Sequence, residues 1–365
     1  MTPVSGSGDA WVMSPASTEV PEVMPAAVFM GLKDVAVEER PTPRPGPAEL
    51  LLEVSHCGLC GSDLHFLVEW GGRTGVIEGH EFSGTVAAMG ADVTGWKVGD
   101  RVVPGQSPKC GECEYCRAGR VSLCAGRGRV GADDNGWQGA FARYKVINAA
   151  EALKVPDHLS LKHAALVEPL AVALHGITQA GGARPGTRWL VTGGGPIGFL
   201  SVAALKALGV DDIVVSEPKE KRRDLCEKLG ARVVVPEELT IPAMPHDLVA
   251  EPFDVALECS GNGRGMEAAL AQLKRAGTLV LVGAGMARPK FDPNRILLNE
   301  LVITGAFVYD ADGFVRALDL LASGKLPNDL LVEPDDYPLS KLLDTALGLH
   351  EGTVAAKAMI VPRVD

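Results

Sequence analysis

The octapeptide VTGGGPIG, residues 191–198, narrows most sharply what this chain can fold into. It sets Gly193, Gly195 and Gly198 in GxGxxG spacing between an apolar, β-branched run, RWLVT, and a helix-forming run, PIGFLSVAALKALG. Alone such spacing is weak, because glycine-rich turns are common. Between a strand and a helix each glycine acquires a reason: the first permits the tight turn, the second lets backbone approach a pyrophosphate, and the third packs helix on strand. Pro196 and Ile197 then open the helix, whose first N–H groups are offered to the phosphates.

The surrounding pattern agrees. IVVSEP, DVALECSG, GTLVLVGAG and LVITGAF are further buried-strand runs, alternating with helical stretches such as EKRRDLCEKLGA. That alternation is the mark of a doubly wound parallel sheet covered by helices. Upstream, residues 25–155 read as short apolar runs broken by Gly and Pro, a β-rich region. We therefore expect an α/β chain: a disordered leader without periodicity over 1–23, a β-rich domain over 24–178, a dinucleotide-binding domain over 179–307, and a tail over 308–365 that returns to the first domain. Glu217 ends the strand after the glycine turn, 24 positions beyond Gly193. A carboxylate there accepts from both ribose hydroxyls and repels a 2'-phosphate, which favours NAD over NADP. Arg222 and Arg223 could instead bind that phosphate, or simply lie on an exposed first helical turn.

Composition excludes several partners. The 365 residues are 46% hydrophobic and 22% charged with no apolar run of eighteen, so neither a membrane span nor a disordered chain is expected. A formal net charge of -11 opposes phosphate backbones and anionic membrane surfaces, which excludes nucleic acid as a partner. The N-terminus has no basic start followed by an apolar stretch, which places the chain in the cytoplasm. Its eight cysteines are then better read as metal ligands or buried thiols than as disulfides.

Cys110, Cys113, Cys116 and Cys124 have the spacing Cx2Cx2Cx7C, close enough to wrap one ion. Four thiolates suit a closed structural zinc site; a ferredoxin-type cluster would continue with x3 and CysPro, whereas here the gap is seven and Ala125 follows. Chemistry must be sought elsewhere. Cys60 in HCGLCGSDLH, His80 and Glu81 in GVIEGHEFSG, and Glu168 in LVEPLAVALHG form a mixed donor set able to leave a coordination position open. Singly, each has a plainer explanation, as a small buried thiol, a hydrogen-bonded imidazole or a helix cap. Cys57, Cys226 and Cys259 are read as structural.

CGLCGSDLH, EGHEFSG, VGDRVV, the four-cysteine lobe, EPLAVALHG and GGGPIG occur in an order and spacing that resembles the zinc-dependent medium-chain dehydrogenase/reductase family over residues 24–365. The EPL at Glu168, in place of a cysteine, is similar to the polyol, butanediol and threonine dehydrogenase branch. The resemblance implies a GroES-like catalytic domain joined to a Rossmann domain, an active site in the cleft between them, and two zinc ions per chain. By position it makes Cys60 and His80 catalytic zinc ligands, with Glu81, ranked above Glu168, competing with water for the remaining places. It implies that Asp63 accepts the other ring N–H of His80, that Ser62 hydrogen-bonds the substrate oxygen, that His65 passes the proton towards solvent, and that Lys357 lies near the pyrophosphate. A homodimer or homotetramer is implied as well. Two stretches depart from the family, GGRTGVIEGHE and GRGRVGADDNGWQGAFARY, and Phe66, Trp70 and Tyr309 are candidate walls of the substrate pocket or ordinary core aromatics.

The expected reaction is reversible oxidation of a secondary alcohol, with a small alcohol or carbonyl as the only partner and imidazole suited to the proton transfer. Carbonyl reduction is the same chemistry reversed. A zinc-bearing nucleotide-binding protein without turnover is the reading outside enzymology. It would be expected to lose Ser62, His65 or a ligand, and none is missing.

Overall fold

The computed structural model describes residues 20–105, 109–126, 138–286 and 288–362. Most of the leader and the middle of the GRGRVGADDNGWQGAFARY stretch lie outside the described residues, as does the side chain of Trp70. The chain opens with a hairpin of β1 (Val23–Gly31) and β2 (Asp34–Pro41) that forms its own two-stranded sheet. Then come β3 (Glu49–Gly58), β4 (Glu81–Met89), β5 (Arg101–Val103), β6 (Tyr144–Asn148) and β7 (Leu153–Lys154). They share a seven-stranded sheet with two strands from the far end of the sequence, β14 (Val332–Pro338) and β15 (Lys357–Val361). The order is β14-β15-β3-β4-β5-β7, with β6 also paired to β3. Its core is built on Leu50, Leu51 and Leu52 of β3, Val86 of β4 and Phe141, all at most 1% exposed. Short helices sit in its loops: α1 (Gly61–Leu64), running into a π-helical turn over His65–Trp70, α2 (Glu114–Arg117) and α3 (Leu161–Ala164).

A long helix, α4 (Val167–Gln179), leads into the second sheet. That sheet has six parallel strands: β8 (Trp189–Thr192), β9 (Ile213–Ser216), β10 (Arg232–Val234), β11 (Phe253–Glu258), β12 (Leu273–Leu281) and β13 (Val302–Gly305). Their order, β10-β9-β8-β11-β12-β13, reverses direction between β8 and β11, the switch point where doubly wound sheets take dinucleotides. The helices α5 (Pro196–Ala207), α6 (Glu220–Lys228), α7 (Gly263–Ala271) and α8 (Pro293–Asn299) connect the strands. Successive residues on a strand point to opposite faces. Val191, Val215, Leu257 and Val280 accordingly join one buried cluster, while their neighbours Leu190, Val214, Ala256 and Leu279 join another. The continuous apolar runs seen in the sequence follow from this two-sided burial.

The tail divides its contacts. β14, β15 and α11 (Leu342–Glu351) pack with the first sheet, whereas α9 (Gly313–Ala322) lies on α4 in the cluster shared with the parallel sheet, and α10 (Asn328–Leu331) leads from one to the other. Among the described residues no helix is long and apolar enough to cross a membrane.

Gly198 shows how tightly α5 meets the sheet: a Cβ there would overlap the carbonyl oxygen of Gly193. Backbone cannot swing aside as a side chain can. Gly198→Ala is therefore expected to destabilise the fold by about 1–3 kcal/mol, read as a lower urea midpoint with an unchanged slope.

Candidate active site

Three donors assemble where β3 ends and β4 begins. The antiparallel register sets Gly58 opposite Glu81, so the loop after β3 and the residue before β4 meet across one strand spacing. Cys60 caps α1 and His80 immediately precedes β4; the ligand atoms of Cys60, His80 and Glu81 all lie within 4.8 Å of one another. The spot above Gly58 is kept clear by its missing side chain, since a Cβ would collide with the Glu81 carboxylate. Asp63, 1% exposed, accepts from the Cys60 N–H at 2.9 Å and holds its other oxygen 3.6 Å from His80 Nδ1. This is ion-pair range and outside hydrogen-bond range, so the expected second-sphere bond to His80 is not made in this arrangement. Glu168 opens α4 outside the compact set but is close enough to interact electrostatically with His80, Glu81 and Lys357.

The expectation for Lys357 is corrected. Its Nζ is 2.7 Å from Glu81 Oε1 and 3.1 Å from the Leu59 carbonyl, and the side chain is 1% exposed, so the ammonium is spent at the metal cluster and not beside the glycine turn. The cause is register: β15 pairs antiparallel with β3, Met359 opposite Gly58, which turns Lys357 onto Glu81.

The electrostatics of this cluster suit a cation. Burial lowers the basicity of His80, yet Asp63, Cys60 and Glu168 more than offset it and hold the imidazole well above its ordinary pKa. Burial pushes Glu168 up to about 7, with His80 and Lys357 opposing. Glu81 Oε2 is buried without a hydrogen-bond partner among the described residues. A borderline-soft divalent ion bound by thiolate, imidazole and carboxylate would satisfy that oxygen and the surplus of negative charge together.

The four-cysteine lobe fits zinc on distance. Cys110 and Cys124 sulfurs are 3.5 Å apart and Cys110 and Cys116 sulfurs 4.0 Å. Sulfurs about 2.3 Å from a central ion stand roughly 3.8 Å apart along a tetrahedron's edges. Backbone N–H groups of Cys116 and Ala125 draw the Cys113 thiol down to about 6, which favours the thiolate. The same lobe turns Arg120, Ser122 and Leu123 towards a cavity of about 360 Å³, whose far wall is Leu281–Ala284 after β12 and Gly305–Phe307 after β13.

The glycine turn fits a pyrophosphate. Gly195 is the N-cap of α5 with Pro196 and Ile197 behind it, and no side chain caps the helix. Glu217, 2% exposed, is turned inward: its two oxygens accept from Gly194 N–H at 2.7 Å and Lys219 N–H at 2.8 Å. It therefore braces the turn as well as standing where a ribose would lie. Arg222 is not on an exposed turn; it bonds the Leu349 carbonyl at 2.6 Å and lies alongside Gly195. Arg223 is held by the Glu217 and Pro218 carbonyls.

Ser62 is exposed on α1, and His65 begins the π-helical turn with Nδ1 donating to Glu69 Oε2 at 2.7 Å. Phe66 packs on Phe29 with ring centroids 4.5 Å apart, and Tyr309, 5% exposed, packs edge-on against Phe314, so both are core aromatics. Cys57 and Cys226 are buried, and burial pushes Cys226 up to about 12. Sequence reasoning missed His175, inside LAVALHG on α4, which also lines the cavity.

Comparison with known proteins matches residues 46–157 to the alcohol dehydrogenase GroES-like domain and residues 196–323 to the zinc-binding dehydrogenase family. The chain is 34% identical to a sorbitol dehydrogenase of Bacillus subtilis over 94% of this chain and 98% of the relative. It is 33% identical to an L-threonine 3-dehydrogenase of Xanthomonas campestris over 87% and 91%. The fold superposes with a TM-score of 0.82 on a zinc-binding dehydrogenase of Sinorhizobium meliloti solved with NADP, 31% identical, covering 94% of this chain and all of that one.

Removing one member of a buried ion pair leaves the other uncompensated. Lys357→Met is expected to cost about 3–5 kcal/mol in urea unfolding, and pairing it with Glu81→Gln to recover most of that loss. Additive losses in the double variant would show that the pair is not coupled.

Proposed function

Because the chain belongs to the zinc-dependent medium-chain dehydrogenase/reductase family, we propose that it reversibly oxidises a secondary alcohol, within a polyol, diol or amino alcohol, to the ketone with NAD. The observation that carries this reading is the placement of two sites on one helix. Glu168, beside the metal cluster, and His175, in the cavity wall, are seven residues apart on α4. That spacing is two turns, so they share a face about 10 Å apart. One helix thus holds the donor cluster and the space beyond β12 and β13 at a spacing that suits one substrate and one cofactor.

Cys60, His80 and Glu81 would hold one zinc and the four lobe cysteines a second, giving two per chain. When bound, zinc supplies a Lewis acid for the alcohol oxygen and the nicotinamide supplies the hydride acceptor. The chain's own residues do the rest. Ser62 takes the hydroxyl proton and hands it to His65, whose orientation is set by Glu69 and whose partial exposure gives a route to solvent. Lys357 fixes the Glu81 carboxylate so that its free oxygen faces the donor set. Glu81 is the resting carboxylate ligand, with Glu168 in reserve. Glu217 disfavours a 2'-phosphate, although Arg222 lies near enough to Gly195 to make NADP the competitor to test.

The assembly is a homodimer built on the edge strand β13. Leu297 and Leu298 of α8 and Val302 of β13 are 71%, 54% and 50% exposed, an apolar strip beside unpaired strand backbone.

A screen of secondary alcohols with NAD and NADP, followed by absorbance of the reduced cofactor, should find turnover of a polyol, diol or amino alcohol with higher kcat/KM for NAD. Inertness of the zinc-loaded protein towards all three classes would sink the proposal. His80→Ala should lower zinc from two ions per chain to one and turnover by about a thousand-fold or more, as several kcal/mol of Lewis-acid stabilisation is lost. Val302→Lys with Leu297→Glu should convert dimers to monomers in sedimentation; a monomeric wild type would refute the edge interface.

A further inference from the structure

His175 has no place in the chemistry described so far. It is 3% exposed in the middle of α4, where an apolar residue would suffice, and its Nδ1 stands 2.8 Å from Asp310 Oδ2. A carboxylate only accepts, so Nδ1 carries the hydrogen and, in the neutral ring, Nε2 presents a lone pair. Among the described residues no protein group meets Nε2, and the ring lines the cavity between the cysteine lobe and the ends of β12 and β13.

The topology says which part of a dinucleotide comes here. Glu217 ends β9 and the glycine turn follows β8, so the adenosine half lies over β8 to β10 and the nicotinamide half over β11 to β13. The cavity walls Val282, Gly283, Ala306 and Phe307 follow those last strands, and Phe307 is 60% exposed. A flat ring with one polar amide suits a largely apolar slot of about 360 Å³. Arg120, also in the lining, can only donate, so an amide N–H entering the slot must find its acceptor among the backbone carbonyls of the far wall, the Ser122 hydroxyl and His175 Nε2, of which His175 is the buried side chain already fixed by a partner.

We propose that His175, held in one tautomer by Asp310, is a cofactor-positioning residue whose Nε2 accepts a hydrogen bond from the carboxamide NH2 of the nicotinamide. This rests on the dinucleotide reading above. Fixing the carboxamide fixes rotation of the ring about its glycosidic bond, and with it the face turned towards the metal centre.

Three ligands separate the outcomes when titrated against the zinc-loaded protein by fluorescence or calorimetry: NADH, its reduced 3-acetylpyridine analogue, in which a methyl replaces the NH2, and ADP-ribose, which lacks the ring. His175→Ala should weaken NADH about five- to tenfold, the size of one lost hydrogen bond, and leave the other two within about twofold. His175→Gln, which restores an acceptor, should recover part of the difference. Asp310→Asn can donate to Nδ1 and so move the ring hydrogen to Nε2; it should mimic His175→Ala without altering the cavity wall, and it decides the matter if His175→Ala fails to fold. Equal weakening of NADH and the acetylpyridine analogue, or no weakening of either, would overturn the assignment. Failure of ADP-ribose to bind the wild type would instead overturn the dinucleotide reading.

Discussion

The active site depends on a balance of charge around carboxylates that water scarcely reaches. Asp63, Glu81 and Glu168 are each at most 9% exposed and surround Cys60 and His80. Removing so much negative charge from water is costly unless it is answered locally. Lys357, from the last strand, gives part of the answer, and the same negative surroundings hold the His80 imidazole well above its ordinary pKa. A divalent cation bound there would complete the balance. Folding and metal binding would thereby be linked: β15 must reach β3 before Lys357 reaches Glu81, so the donor cluster is finished only when the two ends of the chain have met.

Much of this was legible in the sequence because its signals are local. Cx2Cx2Cx7C wraps one ion without help from the rest of the chain, and GxGxxG between a strand and a helix states its own context. The parallel sheet was readable from apolar runs that feed clusters on both faces. Cys60 and His80, twenty positions apart, were joined through family resemblance, and the structure gives the physical reason in the register of β3 with β4. What the sequence hid were long-range pairings. Nothing near Lys357 reveals that Met359 lies opposite Gly58, so its contact with Glu81 is not legible in the sequence. His175 was hidden differently: in LAVALHG it sits among apolar neighbours at helical spacing, and its partner Asp310 is 135 residues away. A buried imidazole in an otherwise apolar stretch was the only available signal.

Helix α4 explains how two unlike halves act as one site. Its residues Val167, Leu170, Leu174 and Ile177 belong to the cluster that contains strands of the parallel sheet, while its first turn carries Glu168 to the metal cluster of the other sheet. A rigid rod of thirteen residues sets the separation, and close packing against α5 and α9 resists change in it. Hydride transfer needs reacting atoms held at near contact, so a fixed separation is worth more here than flexibility.

The cysteine lobe belongs to the same scheme. A zinc ion held by the four cysteines would contribute no chemistry, but it would stiffen a loop too short and too polar to build a core of its own, between residues 109 and 126. The stiffened loop ends in Arg120, Ser122 and Leu123, which face Val282 and Phe307 across the cavity. A metal bound in the lobe would thus act through shape, holding one side of the space whose other side the parallel sheet provides.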